Sequence, residues 1–191
     1  TSLVPFDLHP SIEPLITRLV HACGMPDIVP ALTWDEAVID TASAALQRGA
    51  PILCDCEMVA AGITRRFLPA DNQVTVTLND ACVPALAKTL STTRSAAAVT
   101  LWEPYLDGAI IAIGNAPTAL FAVLELIERT RIQPAAILGF PVGFVGAAES
   151  KDALCEAAAC PFITLTGTRG GSALASAAVN ALCRIATGDK Q

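Results

Sequence analysis

Nothing in these 191 residues approaches the roughly 20 consecutive apolar positions of a membrane-spanning helix, although hydrophobic residues make up 53% of the chain. The chain opens Thr1-Ser2-Leu3-Val4-Pro5 without a basic n-region, so no signal peptide is expected. Histidine is scarce: His9 and His21 are the whole supply, which shortens the list of groups able to move protons near neutral pH. The seven cysteines (23, 54, 56, 82, 155, 160, 183) form no C-x-x-C pair, and no histidine neighbours the closest two, Cys54 and Cys56. A zinc site is therefore not expected, and buried free thiols in a reducing cytoplasm are. Basic residues are outnumbered, 12 against 18 acidic, for a net charge of −6 that argues against nucleic acid. An anionic ligand would need a local cluster of arginines working against that field. Missing too are G-x-S-x-G, Walker A and the dinucleotide G-x-G-x-x-G, which removes the serine nucleophile elbow, the P-loop and the simplest nicotinamide site.

What is present is organised around Leu138 to Lys151. The run Ala135-Ala136-Ile137-Leu138 reads as a buried strand, and Ala147 to Cys160 is mostly helix-forming. Between them Gly139, Gly143 and Gly146 are spaced G-x-x-x-G-x-x-G around Pro141. Strand, glycine-punctuated loop and helix in that order make the place where open α/β sheets bind ligands. About 20 residues on, where a dinucleotide fold would carry a ribose-binding acid, stand Thr166, Thr168 and Arg169.

The remaining pattern is largely helix–strand alternation. Residues 1–10 read as irregular, and Ser11 as the cap of a helix running to Cys23, with Gly24 as its stop. A second helix is expected over Trp34 to Arg48, introduced by Thr33. Strands follow at Ile52–Cys56, Val74–Leu78, Ala109–Ile113, the run before Gly139, and Phe162–Thr166. Period-2 alternation in the first would put Cys54 and Cys56 on one face and Asp55 on the other. Helices are expected at Glu57–Ala61, Val83–Thr89, from Thr92-Thr93-Arg94-Ser95 to near Trp102, at Thr118–Arg129 and at Ser172–Ile185. This predicts one domain over residues 1–191: a three-layer α/β/α fold with a mostly parallel sheet of about five strands. The low charged fraction, 16%, also leaves apolar surface for a partner.

Three of the strand–helix turns, at Asn115 to Thr118, Gly143 to Gly146 and Gly167 to Ser172, offer helix N–H groups to carboxylates or phosphates. Arg65, Arg66, Arg94, Lys151 and Arg169 lie in or beside loops. Together they suggest a polyanionic ligand handled with no metal and no redox cofactor. His21 falls near the C-terminus of its helix, where the dipole favours an imidazolium.

Several segments in order carry a family resemblance. They are His21-Ala22-Cys23-Gly24-Met25, Ala50 to Asp55, Met58-Val59 with Gly62-Ile63-Thr64-Arg65, Thr92 to Ala97, Gly114 to Leu120, and Pro141 to Lys151. Running from about Leu19 to Leu182, they resemble the precorrin-8X methylmutases, or precorrin isomerases; the stretch Thr1 to Pro10 does not match. The resemblance implies an enzyme of cobalamin biosynthesis that moves a methyl group from carbon 11 to carbon 12 of precorrin-8X by a 1,5-sigmatropic shift. The product is hydrogenobyrinate, or cobyrinate from the cobalt form. It assigns His21 the proton transfer and implies a homodimer with the substrate near the subunit interface. Thr64, Arg65, Arg94 and Ser95 would line that pocket, with Asn115, Thr118, Gly143 and Lys151 as further substrate-binding residues. A non-catalytic corrinoid carrier and a Rossmann-like nucleotide enzyme are the alternatives; retention of His21 argues against the first, the glycine spacing against the second.

Overall fold

The strand Ile110–Ile113 is buried along its whole length, and its residues divide by period 2. Ile110 and Ala112 enter one core, Ile111 and Ile113 another. A strand apolar on both faces belongs in a sheet covered on both sides, and that is the architecture. The computed structural model describes residues 8–188; most of the irregular opening expected over residues 1–10 lies outside that range.

In chain order the strands are β1 (Leu32–Trp34), β2 (Ile52–Cys54), β3 (Val74–Val76), β4 (Ile110–Ile113), β5 (Ala136–Gly139) and β6 (Phe162–Leu165). They form one sheet in the order β1-β6-β5-β4-β2-β3. All neighbouring pairs are parallel except β1 with β6. The helices are α1 (Glu13–Cys23), α2 (Val38–Gln47), α3 (Glu57–Gly62), α4 (Val83–Thr89), α5 (Arg94–Val99), α6 (Pro117–Thr130), α7 (Ala147–Ala157) and α8 (Ser172–Ala186). Helices α1, α2, α3 and α8 share the core on one face, with α1 and α2 both packed on α8. Helices α6 and α7 cover the other face, joined by Val99, Trp102 and Leu106. The five expected strands are all present, so the three-layer reading holds.

Four local expectations are corrected. The sheet has a sixth strand, because Leu32–Trp34 pairs antiparallel beside β6. The second helix therefore begins at Val38 instead of Trp34, after Asp35 accepts the Ala37 amide at 2.8 Å. Ser11 does not cap α1; its hydroxyl meets His9 Nδ1 at 2.7 Å, while Ile12 holds the cap position. The alanine-rich helix stops at Val99, and a 3-10 segment over Thr100–Tyr105 carries Trp102 into the core. There the indole N–H donates to Thr77 Oγ1 at 2.9 Å and that hydroxyl to the Ala98 carbonyl at 2.9 Å, fixing the end of β3 against α5.

The cysteines are free thiols, with Cys54, Cys56, Cys160 and Cys183 buried and Cys82 exposed. Cys54 and Cys56 do enter the same core. Burial pushes the thiols of Cys160 and Cys183 up to about 12, and Cys54 higher still with Asp55 adding to the effect. Since the thiolate is the reactive form, alkylation of the native protein at pH 8 should label Cys82 and spare Cys54, Cys160 and Cys183 until denaturant is added, as read by peptide mass spectrometry.

Candidate active site at the carboxyl ends of the strands

The parallel part of the sheet starts inside, at β2. The chain steps to β3 at the edge, returns past β2 to β4, and continues outward through β5 and β6. The direction of winding thus reverses between β2 and β4, and open α/β sheets take ligands outside the carboxyl ends at such a reversal. Here a side chain already occupies it. Asp55, directly after β2 and 4% exposed, accepts N–H groups from Gly114 (2.9 Å), Asn115 (2.9 Å) and Ala116 (2.8 Å), the amides that lead into α6. Burial raises its carboxyl pKa from the ordinary value while these three bonds pull it down. Gly114 is required beside it: a Cβ there would lie 2.6 Å from both the Ser172 Cα and a Val59 methyl.

The turn held by Asp55 presents Asn115 and Thr118, both exposed. Thr118 accepts the Thr93 hydroxyl at 2.8 Å, and Thr93 itself caps α5 by accepting the Ala96 amide at 3.2 Å. That cap aligns Arg94 and Ser95 with the same edge. One guanidinium nitrogen of Arg94 is anchored 3.2 Å from the Leu78 carbonyl and 3.2 Å from Asn79 Oδ1, and the side chain is otherwise exposed.

The loop after β5 comes next along the edge. Phe140 donates to the Ile113 carbonyl at 2.7 Å, and the Val142 amide lies 3.5 Å from the Asn115 carbonyl. Gly143 and Gly146 have φ of 142° and 79°, conformations that glycine adopts without cost. Between them the loop holds Phe144 and Val145 in solvent, 96% and 88% exposed.

Helix α1, which carries His21 in its last turn, packs on α8 and is tied to this edge through the segment that follows it. Helix α1 ends with Gly24 in the left-handed region, and the 3-10 segment Pro26–Ala31 leads into β1. Because β1 runs antiparallel to β6, its first residue Leu32 lies opposite Leu165, the last of β6. The tether is direct: Thr166 donates its amide and its hydroxyl to the Ala31 carbonyl at 2.9 and 3.0 Å. Arg169 pairs with Asp27 at 2.6 Å, a contact that also lowers the Asp27 carboxyl pKa. The His21 side chain is exposed, and its imidazole makes no hydrogen bond to another described residue.

Three of the expected site positions sit differently. Thr64 donates its amide to Asn180 Oδ1 at 2.8 Å, about two turns along α8 from Ser172, so Thr64 and Arg65 lie below the edge rather than on it. Arg65 is exposed, and its charge still opposes the rise of the Cys54 pKa at the end of β2. Lys151 is fully enclosed, with its ammonium donating to the carbonyls of Pro141 at 3.2 Å and Arg169 at 2.7 Å. Burial lowers its pKa to about 8, with Asp152 acting against the shift. Sequence reasoning missed Asp55 as an organiser of the site; the signal available was an acid directly after a buried strand, facing a Gly-Asn-Ala-Pro turn.

A family model described as precorrin-8X methylmutase matches residues 3–185. The chain belongs to the precorrin-8X methylmutase family. The match reaches further than the motifs between Leu19 and Leu182 and takes in most of Thr1 to Pro10. The precorrin-8X methylmutase of Pseudomonas aeruginosa is 53% identical over 180 residues, covering 94% of this chain and 85% of that protein. A cobalt-precorrin-8 methylmutase of Methanocaldococcus jannaschii is 37% identical over 176 residues, 92% of this chain and 80% of the relative. Among solved structures, a precorrin-8x methyl mutase from Thermus thermophilus superposes with a TM-score of 0.87 at 36% identity, covering 98% of this chain and 92% of that one. The family's members are isomerases of corrin biosynthesis, and this chain is an enzyme of that class.

The Asp55 arrangement is open to direct test. Asp55→Ala strips three amides of their acceptor, two of them buried and one partly so, and a buried one left unpaired costs about 1–3 kcal/mol. Urea unfolding should show a loss on the order of 3–5 kcal/mol. A loss under about 1 kcal/mol would mean that the turn does not depend on the carboxylate.

Proposed function

We propose that this chain converts precorrin-8X, or its cobalt form, to hydrogenobyrinate or cobyrinate by moving the methyl group from carbon 11 to carbon 12, with His21 as the proton donor. The observation that carries the reading is the position of His21. In a chain of this family, an exposed imidazole stands in the last turn of α1, just before the segment that Thr166 and Arg169 tie to the end of β6.

The chemistry asks little else of the protein. A methyl shift within one conjugated ring system needs no hydride, no nucleophile and no second substrate. Protonation of a ring nitrogen by the imidazolium draws electron density towards that nitrogen and makes the adjacent migration easier. Each 1.4 kcal/mol or so removed from the barrier is about tenfold in rate. The imidazole then takes the proton back, so none is consumed.

The substrate is a flat macrocycle rimmed by acetate and propionate carboxylates. Arg94, with the hydroxyls of Ser95 and Thr118 and the amide of Asn115, binds that rim, and side-chain carboxylates that reach below the edge meet Arg65 and Thr64. The backbone at Gly143 comes close to the ring, and Phe144 and Val145 give it an apolar surface. So broad a ligand exceeds what one edge of a single sheet can enclose, which supports a homodimer in which a second copy completes the cleft. Such an interface should bury more than about 1,000 Å² in total, and light scattering at micromolar concentration should give the mass of two chains.

Incubation with precorrin-8X and with its cobalt form, followed by absorption spectrum, tests the activity. His21→Ala should fold and bind the corrin product but turn over about 10²–10⁴-fold more slowly. His21→Asn should do no better, having no transferable proton. Near-normal turnover in either variant would remove the mechanism. Arg94→Ala should weaken substrate and product alike by about 1.5–3 kcal/mol, the value of a hydrogen bond to a charged group. The effect should be a raised KM with kcat preserved.

A further inference from the structure

Among the described residues Lys151 is the largest charged side chain enclosed, at 0% exposure, and it meets no carboxylate within ion-pair distance. An ammonium placed so is costly unless its hydrogens are used. Two of them are, and they join different loops: one bond goes to the Pro141 carbonyl after β5, the other to the Arg169 carbonyl after β6. The same two loops are knitted by backbone bonds on either side, Gly143 N–H to Thr168 O at 3.2 Å and Gly171 N–H to Phe140 O at 2.8 Å. Gly170 lies so close beneath them that a Cβ would strike the carbonyl oxygens of Phe140 and Pro141. The Arg169 side chain then continues outward to Asp27 at 2.6 Å, in the segment directly after the helix that carries His21.

We propose that Lys151 is a positioning residue. Its ammonium pins the Phe140–Gly146 loop to the Gly167–Gly171 loop, and through Arg169 and Asp27 fixes the end of α1 that presents His21. It does not reach the substrate itself. This assigns Lys151 a role different from the substrate-binding one its sequence position suggests. A lysine is suited to the place because one nitrogen supplies several donors in different directions, and the carbonyls of two loops need donors from a common point. The effect on turnover rests on the reading of the site given above; the effect on the loops does not.

Lys151→Met keeps the unbranched stem and removes the donors. Hydrogen–deuterium exchange of the unliganded variant should show the amides of 140–146 and 167–171 exchanging at least tenfold faster than in the parent protein. Those of β4, β5 and α8 should be unchanged. In the turnover assay kcat should fall at least tenfold while product affinity falls by a smaller factor, because the ring still meets Arg94 while His21 loses its fixed placement. A substrate-binding lysine would give the opposite pattern: normal loop exchange, weakened product binding and preserved kcat. That result would overturn the proposal.

Gly170→Ala leaves Lys151 in place and should open the same two loops by wedging them apart. If Lys151→Met does not fold, unchanged loop exchange in Gly170→Ala overturns the clamp. A parent protein that fails to turn over either form of precorrin-8X would refute the functional reading, while the exchange result would still decide the clamp.

Discussion

The arrangement rests on a carboxylate placed where the winding of the sheet reverses. In doubly wound folds that reversal leaves an opening ringed by amide donors, and a bound anion commonly fills it. Asp55 fills it from within, satisfying the amides of Gly114, Asn115 and Ala116. Once those donors are taken, the turn into α6 has one geometry, and Thr118 stands where Thr93 can reach it. The start of α5, and with it Arg94, is set by that contact. A single internal anion thus orders the edge between β4 and β3 and leaves the exposed side chains there for a ligand.

On the other half of the edge the same problem has the opposite solution. There the carbonyl groups of two loops converge, and a cation, Lys151, takes them. The two enclosed charges are of opposite sign, sit after different strands, and each is matched to backbone dipoles instead of to a counter-ion. Both are expensive to bury, and neither contributes to the hydrophobic cores above and below the sheet. Their value lies in fixing loops, which carry function but have few apolar contacts to hold them.

Much of this was legible beforehand. The five parallel strands announce themselves as short apolar runs, and the last three helices fall within a residue or two of expectation at most ends because Pro117, Gly146 and Gly171 punctuate them. The candidate site is outlined in the sequence by its glycine-bearing loops and by the resemblance. What escaped depends on tertiary partners. Leu32–Trp34 is three residues long, too short for a period to show, and is a strand because β6 has a free edge beside it. Ser11 could cap a helix or meet His9, and the nearer histidine won. Asp55 and its amides are about 60 positions apart. Lys151 stands in a run of small and polar residues that gives no hint of enclosure, since what encloses it comes from the loop after β6.

The ends of the sheet have a further consequence. Each outermost strand, β1 and β3, is three residues long, and β1 runs against its neighbour. An edge that brief offers an incoming chain only one or two backbone hydrogen bonds before it runs out, too few to hold a foreign strand against the entropy of ordering it. A polypeptide with more than half its residues hydrophobic is thereby kept from extending its sheet into that of another chain. Such edges leave assembly to helices and loops, where the fit of side chains can be selective about the partner.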